Sequence, residues 1–191
     1  MIKKFVAASS LAVSVLAFGA QADAKESNHV VKEGDTLYKL GMQYGVSVQD
    51  LQTANNKNSD MLIPGEELTI PASITAEEKD LLARLVQAEA VGEPYAGKVA
   101  VATVVLNRVE SNLFPNTIHG VIYDGTQFEP VLNGEINKPA GAEAKKAVSE
   151  ALAFHGQGNN SLFFYNPKKA QNDFLENKQV TVEIGDHVFL K

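Results

Sequence analysis

The chain predicts an α+β protein in two unequal parts, a small strand–helix–helix–strand module followed by a larger helix-rich unit that ends in a short sheet. Three observations carry that expectation. Capping residues recur ahead of apolar stripes: Ser47 and Thr75 are each followed three residues on by an acid, Asp50 and Glu78. The stretch 96–110 is apolar on nearly every side, as a central buried helix is. Residues 180–190 alternate around Gly185-Asp186, which is a hairpin signal.

Composition narrows the classes. The 191 residues suffice for one ordinary domain plus a small module, and 45% hydrophobic content supplies a core. With no Cys, disulfides, thiol nucleophiles, Cys-ligated zinc and Cys-based lipid anchors are excluded. A net charge of −6, 7% aromatic residues and no basic run argue against a nucleic-acid partner. The four His (His29, His119, His155, His187) are scattered with no ligand-pair spacing, so neither a metal nor a cofactor is expected. Of these, His119, His155 and His187 read as surface or turn residues. Residues 1–24 read as a secretory leader: Lys3 and Lys4 open it, a mostly apolar run from Phe5 to Phe18 follows, and Ala22-Asp23-Ala24 or Ala20-Gln21-Ala22 offers a cleavage site. That run is shorter than the ~20 residues a spanning helix needs. The expectation is an exported protein with no stable membrane insertion once the leader is removed.

In the small module, 29–71, Val30 and Val31 predict a strand. Gly34, Asp35 and Thr36 form a turn into a helix over 37–43 that closes near Gly45. Ser47 caps a second helix with Leu51 and Ala54 on its inner face; 61–65 is a loop, and 67–71 is extended. This unit resembles a LysM domain through His29-Val30-Val31, Gly34-Asp35-Thr36-Leu37, Val46-Ser47-Val48, Leu51, Asn55-Asn56 and Ile63-Pro64-Gly65-Glu66-Glu67-Leu68. The resemblance implies binding of N-acetylglucosamine in peptidoglycan or chitin, in a groove between the first turn and the loop before the last strand. By position its glycan-facing residues would be Gly34, Asp35, Thr36, Leu37, Asn55, Leu62 and Ile63. Read from the residues alone, Asp35 and Thr36 cap a helix; a turn whose backbone serves a sugar can do both.

After a linker at 72–74, the second unit, 75–191, opens with the Thr75 capping box. Its first helix runs to about 91, where Gly92-Glu93-Pro94 stops it, and the apolar helix 96–110 follows. Phe114-Pro115-Asn116 predicts the start of a short helix through 122, and 123–139 is loop. A third amphipathic helix spans 140–154, with Ala144, Ala147, Val148, Ala151 and Leu152 inward; a strand at 162–165 and the hairpin complete the unit.

Glu89 stands out in the first of these helices. It continues the apolar stripe of Leu82, Leu85 and Val86, at i+4 from Leu85 and i+3 from Val86, and Ala88 and Ala90 leave space beside it. Burial and the negative end of the helix dipole would both keep its carboxyl protonated. Such an acid can protonate a leaving sugar oxygen; the alternative is a helix-end Glu turned out to solvent.

The second unit is similar to the catalytic domain of SleB-type cell-wall hydrolases. The resemblance lies in the run 84–102, Leu106-Asn107-Arg108-Val109, Phe114-Pro115-Asn116, Gly120-Val121-Ile122-Tyr123, Gln127-Phe128-Glu129-Pro130-Val131, Phe164-Tyr165-Asn166-Pro167 and Ile184-Gly185-Asp186-His187-Val188-Phe189. It implies a lysozyme-like fold and lytic transglycosylase activity on peptidoglycan, with Glu89 as the catalytic acid. Glu89 would protonate the oxygen between N-acetylmuramic acid and N-acetylglucosamine. Its carboxylate would then take the proton of the muramoyl C6 hydroxyl as a 1,6-anhydro ring closes. Gln127, Phe128, Tyr165 and Asn166 are the substrate-binding candidates, amides for hydroxyls and aromatic faces for rings, with Glu93 beside them. Asn107 and Arg108, at a helix end, read as structural. Glu93, Asp124 or Glu129 could instead be the second carboxylate of a hydrolytic muramidase. An amidase and a non-catalytic wall-binding protein are the remaining alternatives. The expected location is outside the cell, in the cell wall or spore envelope.

Overall fold

The computed structural model describes residues 26–169 and 171–191; the expected leader lies outside the described residues. In the small unit, β1 (Ser27–Val30) pairs antiparallel with β2 (Glu67–Ile70), Ser27 opposite Ile70 and Val30 opposite Glu67. Between them lie α1 (Leu37–Tyr44) and α2 (Val48–Ala54). The caps are those the sequence predicts: Thr36 accepts from the Lys39 N–H, Ser47 accepts from the Asp50 N–H, and Gly45 leaves α1 in the left-handed conformation. Val31, Leu37, Leu40, Val46, Leu51, Leu68 and Ile70 form a core of this unit's own.

The second unit runs α3 (Ala76–Glu89), α4 (Tyr95–Glu110), α5 (Ile118–Ile122), α6 (Glu129–Asn133), a 3-10 turn (Glu135–Asn137), α7 (Ala142–Ala153), β3 (Phe163–Tyr165), α8 (Asp173–Glu176), β4 (Val180–Ile184) and β5 (His187–Leu190). Thr75 and Glu78 close a reciprocal capping box at the start of α3. Helix α4 is central, packed by α3, α5 and α7, with Val101, Ala102, Val104 and Val105 fully buried. The three strands form an antiparallel sheet in the order β3-β5-β4, with an irregular register between Val180 and Val182.

Three details depart from expectation. Helix α5 starts at Ile118 and not near Phe114, because the Thr117 hydroxyl accepts from the Gly120 N–H and fixes the start there. Helix α6 and the 3-10 turn occupy part of the stretch expected to be loop; α6 spans five residues, with Pro130 in its first turn, too short for an apolar period to register. Helix α8, also unforeseen, is set by Asn172, whose side-chain oxygen accepts from the Phe174 and Leu175 N–H groups.

The two units share a seam where α1 lies against α7. Gly41 makes the approach: a Cβ there would sit 3.1 Å from Ala153 Cβ and 2.8 Å from the Val46 carbonyl oxygen. Tyr38 and Phe154 pack with ring centroids 5.1 Å apart, and the Ser73 hydroxyl donates to the Gly45 carbonyl. Among the described residues, no helix is long and apolar enough to cross a membrane.

Candidate active site

Glu89 is the last residue of α3. Leu85 and Val86, both fully buried, anchor the turn beneath it, so its partly buried side chain enters a cleft of roughly 390 Å3. The cleft lies between the ends of α3 and α4 on one side, α6 and the 3-10 turn on another, and β3 and β5 on the third. Burial pushes the Glu89 carboxyl up to about 7, and the negative charge of Glu129 across the cleft adds to the rise; Arg108 and Lys169 pull the other way. A group in that range carries a proton at neutral pH and can take one back.

Gln127, Phe128, Tyr165 and Asn166 line the same cleft. Gln127 is exposed, but both ends of its amide are held: Oε1 accepts from Arg108 at 2.9 Å and Nε2 donates to Asp124 at 2.8 Å. One N–H and one lone pair remain for a ligand. Tyr165 is half-buried. Asn166 is buried, and its Oδ1 accepts from the Lys168 N–H, which shapes the turn that brings Lys169 to the cleft. Phe128 is only 2% exposed and packs in the core beneath Arg108, so it backs the cleft and presents no open face for a sugar ring.

Glu93 is displaced from its expected role. It is buried under the β4–β5 turn, where Oε2 accepts from the Asp186 N–H at 3.0 Å, and it is not among the cleft-lining groups. Gly97 and Gly185 leave it room. Its carboxylate fastens the hairpin to the start of α4. His187 is also corrected: it is buried and not on the surface, stands 3.9 Å from Glu93, packs edge-on against Phe164, and lines the cleft. Burial lowers its basicity.

Arg108 stands in the last turn of α4 as expected, yet it is buried and lines the cleft. The signal that picked out Glu89 applies to it equally: Arg108 continues the fully buried stripe of Val104 and Val105 at i+4 and i+3. Among the described residues, no group of three or more His, Cys, Asp or Glu side chains is placed to hold a metal ion.

Residues 92–190 match the family described as Cell Wall Hydrolase. The chain belongs to that family. Residues 29–71 match the LysM domain. Spore cortex-lytic enzymes are similar: that of Bacillus cereus is 38% identical over 122 residues, 64% of this chain and 47% of the relative. That of Oceanobacillus iheyensis is 36% identical over 124 residues, 65% of this chain and 45% of the relative. The chain thus spans about half the length of these curated relatives. Two solved structures are similar with a TM-score of 0.59 and 38% identity over 64% of this chain: the catalytic domain of the Bacillus cereus SleB protein, of which 95% is covered, and that of the germination-specific lytic transglycosylase SleB from Bacillus anthracis, of which 100% is covered. The expected architecture, a LysM module ahead of a helix-rich α+β domain of the hydrolase family, is therefore the architecture of this chain.

The expected glycan residues of the LysM unit divide by geometry. Leu37 is 1% exposed and belongs to the core, so only its backbone can meet a ligand. Asn55 is spent on the fold: Nδ2 donates to the Leu51 and Thr69 carbonyls and Oδ1 accepts from the Thr69 N–H, clamping α2 to β2. Asp35 binds His29 Nε2 and the Lys32 N–H, both at 2.8 Å, which holds its carboxyl below the usual range. Thr36 caps α1. Ile63 is 62% exposed, Leu62 is partly buried and packs on the core, and Gly34 has open space where a side chain would be. Gly34, Leu62 and Ile63 remain free to face a glycan.

Proposed function

We propose that this protein is an exported peptidoglycan-degrading enzyme that cleaves the bond between N-acetylmuramic acid and N-acetylglucosamine as a lytic transglycosylase. In this reading, residues 1–24 direct export, 29–71 hold the wall, and 75–191 carry out the chemistry in the cell wall or spore envelope. The observation that carries it is Glu89, alone at the end of α3, with a carboxyl pushed to about 7 inside a cleft lined by amide and aromatic side chains. The related proteins, spore cortex-lytic enzymes and a germination-specific lytic transglycosylase, support the same chemistry.

Glu89 gives its proton to the bridging oxygen as the C1–O bond breaks, and the N-acetylglucosamine side leaves with its hydroxyl restored. The C6 hydroxyl of the muramoyl ring bonds to C1, and its proton returns to the Glu89 carboxylate. No water is consumed, and the acid is regenerated. While the carboxylate is bare, the positive charges of Arg108 and Lys169 stabilise it. The Gln127 amide, Tyr165 and Asn166 orient the sugar. The LysM unit raises the local concentration of enzyme on an insoluble substrate even when it binds weakly.

One observation favours a second reading. Glu129 shares the cleft with Glu89 and is exposed, so it could activate a water for hydrolysis. Digesting purified sacculi and weighing the soluble products separates the readings. Anhydro-muropeptides support the transglycosylase, reducing-end muropeptides the muramidase, and free stem peptides an amidase. Glu89→Gln should abolish glycan cleavage and leave wall binding intact; a fully active variant overturns the assignment.

A further inference from the structure

Two hydrogen bonds and three aromatic rings hold the Arg108 guanidinium. Nε donates to the Leu162 carbonyl at 2.7 Å, and a terminal nitrogen donates to Gln127 Oε1 at 2.9 Å. Phe114, Phe128 and Phe163 stand around it, with ring centroids 4.7, 5.3 and 5.7 Å from its central carbon. Arg108 is 6% exposed and lines the cleft that Glu89 enters. A planar cation sandwiched by rings has little freedom to swing away, and its fork is suited to fixing an amide oxygen.

We propose that Arg108 is the positioning residue of this cleft: it orients the Gln127 amide toward substrate and presents an immobile positive charge to Glu89. The relay Arg108–Gln127–Asp124 fixes which end of the amide is donor and which is acceptor. The terminal nitrogen of Arg108 can only donate, so Gln127 must offer oxygen to it and nitrogen to Asp124. The remaining amide N–H then points away from both. The cation acts at the step where Glu89 is bare, favouring the carboxylate that will receive the C6 proton. The other charged or titratable groups around Glu89 are Glu129 on α6, Glu135 on the 3-10 turn, Tyr165 on β3, Lys169 after β3 and His187 on β5. Lys169 is exposed and Glu135 is paired with Lys138, so neither is fixed as Arg108 is. This proposal rests on the reading of Glu89 as the acid, but the results that overturn it are read without turnover.

The test uses the whole protein labelled for NMR, with Arg108→Met to remove the charge and Arg108→Lys to keep charge without the fork. In the Met variant the Glu89 carboxyl midpoint should rise on the order of one pH unit, and in digestions of sacculi the alkaline limb of activity should move up with it. In the Lys variant that midpoint should stay in place, while the Gln127 side-chain amide resonances should shift as the fork's bond to Oε1 is lost. Arg108→Gln, neutral and polar, replaces the Met variant should that one fail to fold. An unmoved Glu89 midpoint in the neutral variant, or an unchanged Gln127 amide in the Lys variant, overturns the proposal. Absence of glycan cleavage by the unmodified protein would instead overturn the catalytic reading, leaving the titration and amide signals to judge Arg108 alone.

Discussion

Gly185→Ala offers a quantitative test of how the cleft wall is held. Gly185 has φ +62, and an added Cβ would lie 2.1 Å from Glu93 Oε2 and 2.7 Å from Pro94 Cδ. Gly125 has the same φ of +62 with no heavy atom within 4 Å of its Cβ position, so it serves as a control for backbone strain alone. That strain costs about 1–2 kcal/mol for a residue with a side chain. At Gly185 the Glu93 carboxylate must also leave the Asp186 N–H, a buried bond to a charged group whose loss costs about 1.5–3 kcal/mol. The totals are about 3–5 kcal/mol for Gly185→Ala against about 1–2 for Gly125→Ala. At roughly 2–4 °C per kcal/mol for a chain of this size, Tm should fall by about 6–20 °C in the first and about 2–8 °C in the second. Thermal melts by circular dichroism measure both. Because His187 follows the turn and lines the cleft, Gly185→Ala should also slow sacculus digestion, and Gly125→Ala should do so less. Equal losses of Tm would refute the Glu93 tether.

Further outcomes follow from the same geometry. Glu89 is raised from 4.5 to about 7 in the folded protein, so the stability it contributes is present below about 4.5 and lost as pH rises through about 7. Glu89→Gln should therefore melt higher than the unmodified protein at about pH 8, by up to about 3 kcal/mol, and match it near pH 4; melts at the two pH values decide it. Gly41→Val should wedge α1 from α7 and open the 72–74 linker to protease, seen as new cleavage there with the second unit intact. Asn55→Ala removes the clamp between α2 and β2, costing about 2–4 kcal/mol from a small unit, and should abolish wall binding while the second unit still melts cooperatively.

The sequence was most legible where one local rule decided the outcome. Thr36, Ser47 and Thr75 cap the helices they were expected to cap, because capping depends on the next three residues alone. Glu89 was legible because a carboxylate on an apolar stripe conflicts with burial, and the conflict resolves into a cleft. Arg108 carries the same conflict, but an Arg in a last turn also has an ordinary dipole explanation, which masks the signal of its buried stripe. Glu93 and Asn55 could not be assigned from sequence. Their partners, Asp186 in the hairpin and Thr69 on β2, are distant along the chain, and only tertiary contact shows that their polar atoms are already committed. Helices α6 and α8, at five and four residues, are shorter than the window in which a helical period can be recognised.

The central claim is that Glu89 is neutral enough at working pH to donate a proton from inside the cleft. Following the Glu89 side-chain carboxyl carbon by NMR across a pH titration of the intact protein measures this directly. The account predicts a midpoint near 7; a midpoint at the usual carboxylate value of about 4.3 would contradict it.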